Sequence, residues 1–260
     1  MPTISVGSAK IPYRVTGEGP VLVLVHGTGP NAEIQFGHLL ERFAGNTVVV
    51  PDLSGTEPVI DDGAPLTVER LAEQVLAVID DLGADQVDLA GFSLGSPVAV
   101  AVAARRPEVV RRLVLVAGWD LASADEYQRN MFRVWRRLAD LDDDAFGRYS
   151  TFTGFSHGFL NTIGREQVEA IVPNLKPTPN LIRQIDLCQT LDVRELLPQV
   201  RAQTLVVGLA DDATVPVAAS GRLHAAIPGS QYQEVASGHV VPLEQPDAFV
   251  AAIRDFIQAA

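Results

Sequence analysis

Gly91-Phe92-Ser93-Leu94-Gly95 decides how this chain is read. The apolar run Gln86-Val87-Asp88-Leu89-Ala90 leads into it and a helical pattern leads out, so the stretch reads as strand, sharp turn, helix. A serine at the apex of such a turn sits in a strained backbone conformation with its hydroxyl lifted clear of the sheet, and the flanks of so tight a turn must be small. Both flanks here are glycine. A turn of small residues between strand and helix also serves plain packing. The stretch therefore carries chemistry only if the rest of the chain supplies a base, an acid and donors for a developing oxyanion.

Upstream, Val21-Leu22-Val23-Leu24-Val25 is an unbroken apolar run, the pattern of a strand buried on both faces of a helix-covered parallel sheet. It ends in His26-Gly27-Thr28-Gly29-Pro30, a loop able to turn sharply and expose backbone N–H groups. Ile4 to Thr16 alternates weakly and suits an antiparallel hairpin at a sheet edge. Residues 34–43 read as a helix, 47–52 as a strand and 52–65 as loop. Thr67 caps a helix in which Leu71, Val75, Val78 and Leu82 recur at helical spacing. Beyond the serine turn, Pro97 falls in a first helical turn, where its missing N–H costs nothing, and 111–117 is another strand.

From Gly118 to about Asp186 the strand–helix alternation stops. Both tryptophans, Trp119 and Trp135, and five of the 10 phenylalanines, Phe132, Phe146, Phe152, Phe155 and Phe159, fall here. Such an aromatic helical insertion would lie over one edge of a sheet and favour an apolar substrate portion. The alternation then resumes with a strand over 204–208, a helix over 217–227, a strand over 231–235 and a helix over 246–258. Repeated strand–helix units imply a parallel, doubly covered sheet with its site at the carboxyl ends of the strands.

With 32 acidic against 20 basic residues the formal charge is −12, which argues against nucleic-acid and anionic-membrane partners, since both need a basic patch to displace counterions. The single cysteine, Cys188, has no partner within the chain and reads as a small buried hydrophobe. Met1–Lys10 has no targeting pattern and no apolar run approaches a membrane span. A cytoplasmic protein acting on a small molecule, as monomer or homodimer, is the expectation.

A serine hydroxyl is a poor nucleophile until a base takes its proton, and the base works best when an acid fixes its tautomer and orientation. Of the five histidines, His239 follows the last strand in Ala236-Ser237-Gly238-His239, on the side where such sheets hold their sites. His38 and His224 fall on helical patterns and read as surface or packing residues, and for His157, in the insertion, a structural role is again favoured. His26 begins the glycine-bearing loop. Its expected task is to tie that loop down while the N–H groups of Thr28 and Leu94 point at one developing oxyanion. For the acid, the strand from Thr204 runs into Leu209-Ala210-Asp211-Asp212-Ala213-Thr214-Val215-Pro216. Adjacent side chains on a turn diverge, so at most one of the two aspartates faces His239. Asp52 and Asp120 also follow strands and read as turn or loop residues.

Together these motifs resemble the α/β-hydrolase superfamily, over nearly the whole chain. Gly91–Gly95 resembles its nucleophile elbow, His26-Gly27-Thr28-Gly29 its oxyanion loop, and Gly238-His239 followed by Glu244-Gln245-Pro246 its histidine loop; the order serine, acid, histidine is also the family's. The resemblance implies an α/β-hydrolase fold, a mostly parallel central sheet flanked by helices, with a core of residues 1–118 and 187–260 and a helical cap over 119–186. It implies a cofactor-free, metal-free serine hydrolase that cleaves an ester, lactone or thioester of a small apolar substrate through an acyl-enzyme on Ser93, with His239 as base and Thr28 and Leu94 as oxyanion donors. For the acid, the family position three residues past the strand-end glycine selects Asp211 and the position four before the proline selects Asp212; the Asp-x-x-Val-Pro spacing into the helix favours Asp212.

Two features stand apart. Pro51-Asp52-Leu53-Ser54-Gly55-Thr56-Glu57-Pro58 replaces a loop that is often basic and glycine-rich in relatives, and would reshape one wall of the pocket. His26–Pro30 is also similar to the loop of meta-cleavage product hydrolases, which keeps carbon–carbon bond hydrolysis, or another cofactor-free reaction of the fold, as an alternative. A non-catalytic ligand-binding member is disfavoured, because such proteins usually lose a triad member and every candidate is present here.

Overall fold

The valine- and leucine-rich runs become strands in a computed structural model that describes residues 1–259. They are β1 (Thr3–Val6), β2 (Ala9–Thr16), β3 (Val21–Val25), β4 (Thr47–Pro51), β5 (Val87–Phe92), β6 (Val110–Val116), β7 (Gln203–Leu209) and β8 (Gln231–Val235). They form one eight-stranded sheet in the order β1-β2-β4-β3-β5-β6-β7-β8. The β1–β2 hairpin joins β4 antiparallel, and β4, β3, β5, β6, β7 and β8 pair in parallel. From β3 the chain leaves toward β4, whereas from β5 it leaves toward β6, on the opposite side. The loops after these two neighbouring strands therefore diverge and open a crevice at their carboxyl ends.

The sheet is covered on both faces because successive strand side chains point opposite ways. Val23, Val25 and Leu89 join one buried cluster, whereas Leu22, Leu24 and Ala90 join the other. The first face is covered by α2 (Val68–Asp81) and α3 (Gly95–Arg105), and α1 (Ala32–Phe36) packs on the other. Val98–Ala103 of α3 are wholly buried, so the helix that follows Ser93 sits deep in the core and holds the turn rigid.

Residues 34–43, expected as one helix, instead divide into α1 and a 3₁₀ segment over Gly37–Phe43. Glycine at 37 weakens the helix at the point where Leu39, Leu40 and Phe43 must turn to the sheet. Between β6 and β7 lie α4 (Glu126–Leu138), α5 (Asp143–Gly154), α6 (His157–Ile171) and α7 (Pro179–Cys188). Each begins on a side chain that accepts a backbone N–H three residues on: Asp125 from Gln128, Asp142 from Ala145, Ser156 from Phe159 and Thr178 from Leu181. α7 runs two residues past position 186, to Cys188. The chain ends with α8 (Val217–Ala226), α9 (Val241–Glu244) and α10 (Pro246–Gln258).

Candidate active site

Ser93 caps β5 with φ 54°, a left-handed backbone that L-residues adopt at a cost. Its glycine flanks do not share that conformation; they are needed because backbone passes too close. A Cβ on Gly91 would lie 2.3 Å from Gly95 O, one on Gly95 2.1 Å from Val25 O, and one on Gly27 2.8 Å from Ser93 Cβ. The turn is thus wedged against the end of β3. Ser96 fastens it from below, its hydroxyl reaching Gly91 O at 2.8 Å and Val116 O at 3.0 Å.

The loops after β7 and β8 bring Asp212 and His239 to this serine. His239 Nε2 lies 2.8 Å from Ser93 Oγ and His239 Nδ1 lies 2.7 Å from Asp212 Oδ2. Asp212 Oδ1 accepts the N–H groups of Thr214 (2.8 Å) and Val215 (2.7 Å), so both carboxylate oxygens are committed. Because the carboxylate can only accept, Nδ1 carries the ring proton and Nε2 presents a lone pair to the serine hydroxyl. All three side chains are buried, which strengthens these charge-assisted bonds. Asp211 points elsewhere: its side chain is exposed and its N–H bonds Ser237 O.

On the other side of Ser93, the His26 ring bridges two loops. Leu53 N–H donates to its Nε2 at 3.1 Å, so Nδ1–H donates to Gly27 O at 2.8 Å. Burial pushes its pKa down and keeps the ring neutral, as this pattern requires. In the same loop Gly27 N–H donates to Gln35 Oε1 (2.9 Å) and Gly29 N–H to Gln184 Oε1 (2.8 Å). Among the described residues no acceptor meets the N–H of Thr28 or of Leu94. The two N–H groups expected to face an oxyanion are thus both without an acceptor among the described residues.

A cavity of about 260 Å³ opens on Ser93 and His239. Phe92, Phe132, Trp135, Phe146 and Phe155 supply much of its wall, and among the described residues His239 is the only ionisable side chain lining it. Its hydroxyls are engaged: Ser150 receives Trp135 Nε1–H at 2.7 Å, and Thr153 and Thr214 donate to the carbonyls of Tyr149 and Thr153. Phe152, also in the aromatic segment, is exposed instead, and Phe159 stacks on Phe155 behind the wall.

The remaining candidates lie apart from this centre. His157 is exposed and bonds Asn161; His38 bonds Pro242 O; His224 bonds Ser230. Asp52 accepts Ala32 N–H at 2.8 Å and Asp120 pairs with Arg222. Cys188 is fully buried, its thiol pushed up to about 12 by burial, with Thr28 Oγ1 at 3.3 Å. Sequence reasoning did not name Gln184 and gave Glu244 no contacts. Glu244 takes Gly238 N–H (3.0 Å) and Ser156 N–H (2.9 Å) on its two oxygens, joining the histidine loop to the start of α6. Gln184 reaches from α7 into the loop after β3. Glu244 belongs to the histidine-loop motif and Gln184 to none; the contacts of each are visible only once distant segments meet. Among the described residues no helix is long and apolar enough to cross a membrane.

Similarity to known proteins follows the same outline. The chain is 38% identical to pyrrolizixenacetamide deacetylase of Xenorhabdus hominickii over 99% of this chain and 98% of that protein. It is 28% identical to 2-hydroxy-6-oxo-2,4-heptadienoate hydrolase of Pseudomonas putida, over 97% and 94%. The crystal structure of MGS-M2, an alpha/beta hydrolase enzyme from a Medee basin deep-sea metagenome library, shares the fold with TM-score 0.90 at 19% identity, covering 100% of this chain and 98% of that one. With residues 22–252 matching the model of the alpha/beta hydrolase family, the chain belongs to that family.

Proposed function

We propose that the protein is a serine hydrolase that transfers the acyl group of a small, neutral, largely apolar ester, lactone or thioester to water. The unbroken relay Asp212–His239–Ser93, opening on an apolar cavity, carries this reading. Ser93 Oγ attacks the carbonyl carbon as His239 Nε2 takes its proton, and the Asp212 carboxylate stabilises the imidazolium. The carbonyl oxygen, now an oxyanion, is held by the N–H groups of Thr28 and Leu94; losing one such donor typically costs about 10²–10³ in turnover. His239 returns its proton to the leaving oxygen or sulfur, water then attacks the acyl-enzyme with His239 again as base, and Ser93 is released. The segment 119–186, with the rest of α7, serves as a cap whose aromatics exclude water and select apolar groups.

The 38% identity to a deacetylase whose name specifies an acetamide favours one second reading, N-deacylation. The same relay suits it, with His239 protonating the leaving nitrogen before the C–N bond breaks. The test is incubation with a fluorophosphonate probe followed by peptide mass analysis, alongside turnover of phenyl acetate and acetanilide. A phosphonylated Ser93 and hydrolysis abolished in Ser93→Ala are expected, and an unlabelled Ser93 in folded protein overturns the reading. The ratio of the two kcat/KM values decides between ester and amide.

A further inference from the structure

The Pro51–Pro58 loop is joined to the oxyanion loop by two side chains: His26, whose Nε2 accepts Leu53 N–H, and Gln184. Gln184 of α7 is buried between them, its Oε1 2.8 Å from Gly29 N and its Nε2 2.9 Å from Thr56 Oγ1. Gly55 (φ 90°) makes room for it, since a Cβ there would lie 2.6 Å from Gln184 Cγ. The loop sequence Ser54-Gly55-Thr56 is therefore shaped to the glutamine: a glycine where its stem passes and a hydroxyl where its amide ends.

The same amide bears on Thr28. The peptide before Thr28 is fixed by His26 Nδ1–H at 2.8 Å and Gln35 Nε2–H at 3.2 Å, both donating to Gly27 O. The peptide after it is held at Gly29 N–H by Gln184 alone, and Gly29 has φ 105°, so its own conformation restrains it little. The Thr28 N–H lies in the first of these peptide planes, so Gln184 acts on it across the Thr28 Cα, by fixing the second plane and with it the φ and ψ of Thr28. α7 itself does not depend on this contact for its seat: Arg183 makes two 3.0 Å bonds to Asp61 and reaches Ala64 O, and Asn180 bonds Glu57.

We propose that Gln184 is a positioning residue that aims the Thr28 N–H at the oxyanion by holding the Gly29 peptide against the Thr56 hydroxyl. The proposal rests on the serine-hydrolase reading and assigns the cap helix α7 a part in transition-state stabilisation. Complete loss of one oxyanion donor costs about 10²–10³, so a donor left in place but poorly aimed corresponds to a loss of about tenfold or more.

The experiment compares Gln184→Met, which fills the space without either bond, with Gln184→Glu. Burial favours the neutral carboxyl, whose C=O accepts Gly29 N–H and whose O–H donates to Thr56. For p-nitrophenyl acetate, Gln184→Met is expected to lower kcat about tenfold or more and to weaken binding of an aryl trifluoromethyl ketone by the same factor, with KM changed less than about twofold. Measured against wild type at the same pH, Gln184→Glu restores most of the loss at pH 6 and less at pH 8. Amide exchange at Gly29 accelerates in Gln184→Met. Wild-type kcat in Gln184→Met, or a lowered melting temperature with kcat, KM and ketone affinity changing together, overturns the proposal. If wild-type Ser93 resists the fluorophosphonate, the serine-hydrolase reading falls separately; unchanged Gly29 exchange in Gln184→Met then overturns the positioning role by itself.

Discussion

Asp212 spends both carboxylate oxygens on N–H donors: Oδ2 on His239, Oδ1 on Thr214 and Val215. An asparagine there must turn its NH₂ toward one of those donors. If it faces His239, the ring is driven to the tautomer with its proton on Nε2, which cannot accept from Ser93. Asp212→Asn is therefore expected to lower kcat by about 10³–10⁴ with little change in KM, whereas Asp211→Asn, on an exposed carboxylate, stays within about twofold of wild type. Steady-state kinetics of the two variants checks this, and equal losses would reverse the assignment. Sequence spacing left these neighbours as rivals because both suit one end of the motif; which of them turns inward depends on the backbone path from Leu209 to Val215, where Asp212 caps the turn with its own side chain.

At the scale of the element, glycine has two meanings that a sequence does not separate. Gly95 is a contact glycine at the start of α3, where any Cβ would lie 2.1 Å from Val25 O. Gly158 stands in the first turn of α6, exposed, with nothing within 4 Å of where its Cβ would be. Gly95→Ala is expected to cost about 3 kcal/mol, at the upper end of overpacking, and to displace Ser93 enough to remove activity. Gly158→Ala is expected to stabilise by about 0.5–1 kcal/mol, the helix preference of alanine over glycine. Urea denaturation read by circular dichroism distinguishes them. Helices with a capping residue and an apolar stripe, such as the one from Thr67, were legible from sequence because both signals are local. Residues 34–43 were not, because an apolar stripe does not specify whether its turns close as α or 3₁₀ once Gly37 interrupts them.

At the scale of the whole molecule, the cavity joins the β3, β5 and β8 loops to side chains from α4, α5 and α7, parts of the chain well over a hundred residues apart. It measures about 260 Å³ and much of its wall is aromatic. Leu181, half-buried on α7, lines it without taking part in the relay. Leu181→Ala is expected to shift preference toward longer acyl chains, raising the kcat/KM of hexanoate relative to acetate p-nitrophenyl esters by about fourfold per methylene newly accommodated, the equivalent of about 0.8 kcal/mol per buried CH₂. A competition assay with the ester series reads this, and an unchanged chain-length profile would place the acyl group elsewhere in the cavity.

What the sequence determined by itself were the features written in local pattern: the parallel sheet from unbroken apolar strands, the serine turn from its glycines, and the place of His239 after the last strand. What only the tertiary structure decided were the features made by segments distant in the chain: which aspartate meets His239, which phenylalanines wall the cavity and which support it, and the contacts of Gln184, which accepts Gly29 N–H, and of Glu244, which accepts those of Gly238 and Ser156. The physical reason is that hydrophobic period and turn chemistry act between neighbours along the chain. A buried hydrogen bond between loops depends instead on where the packed sheet and helices bring those loops, and no pattern within either loop records its partner.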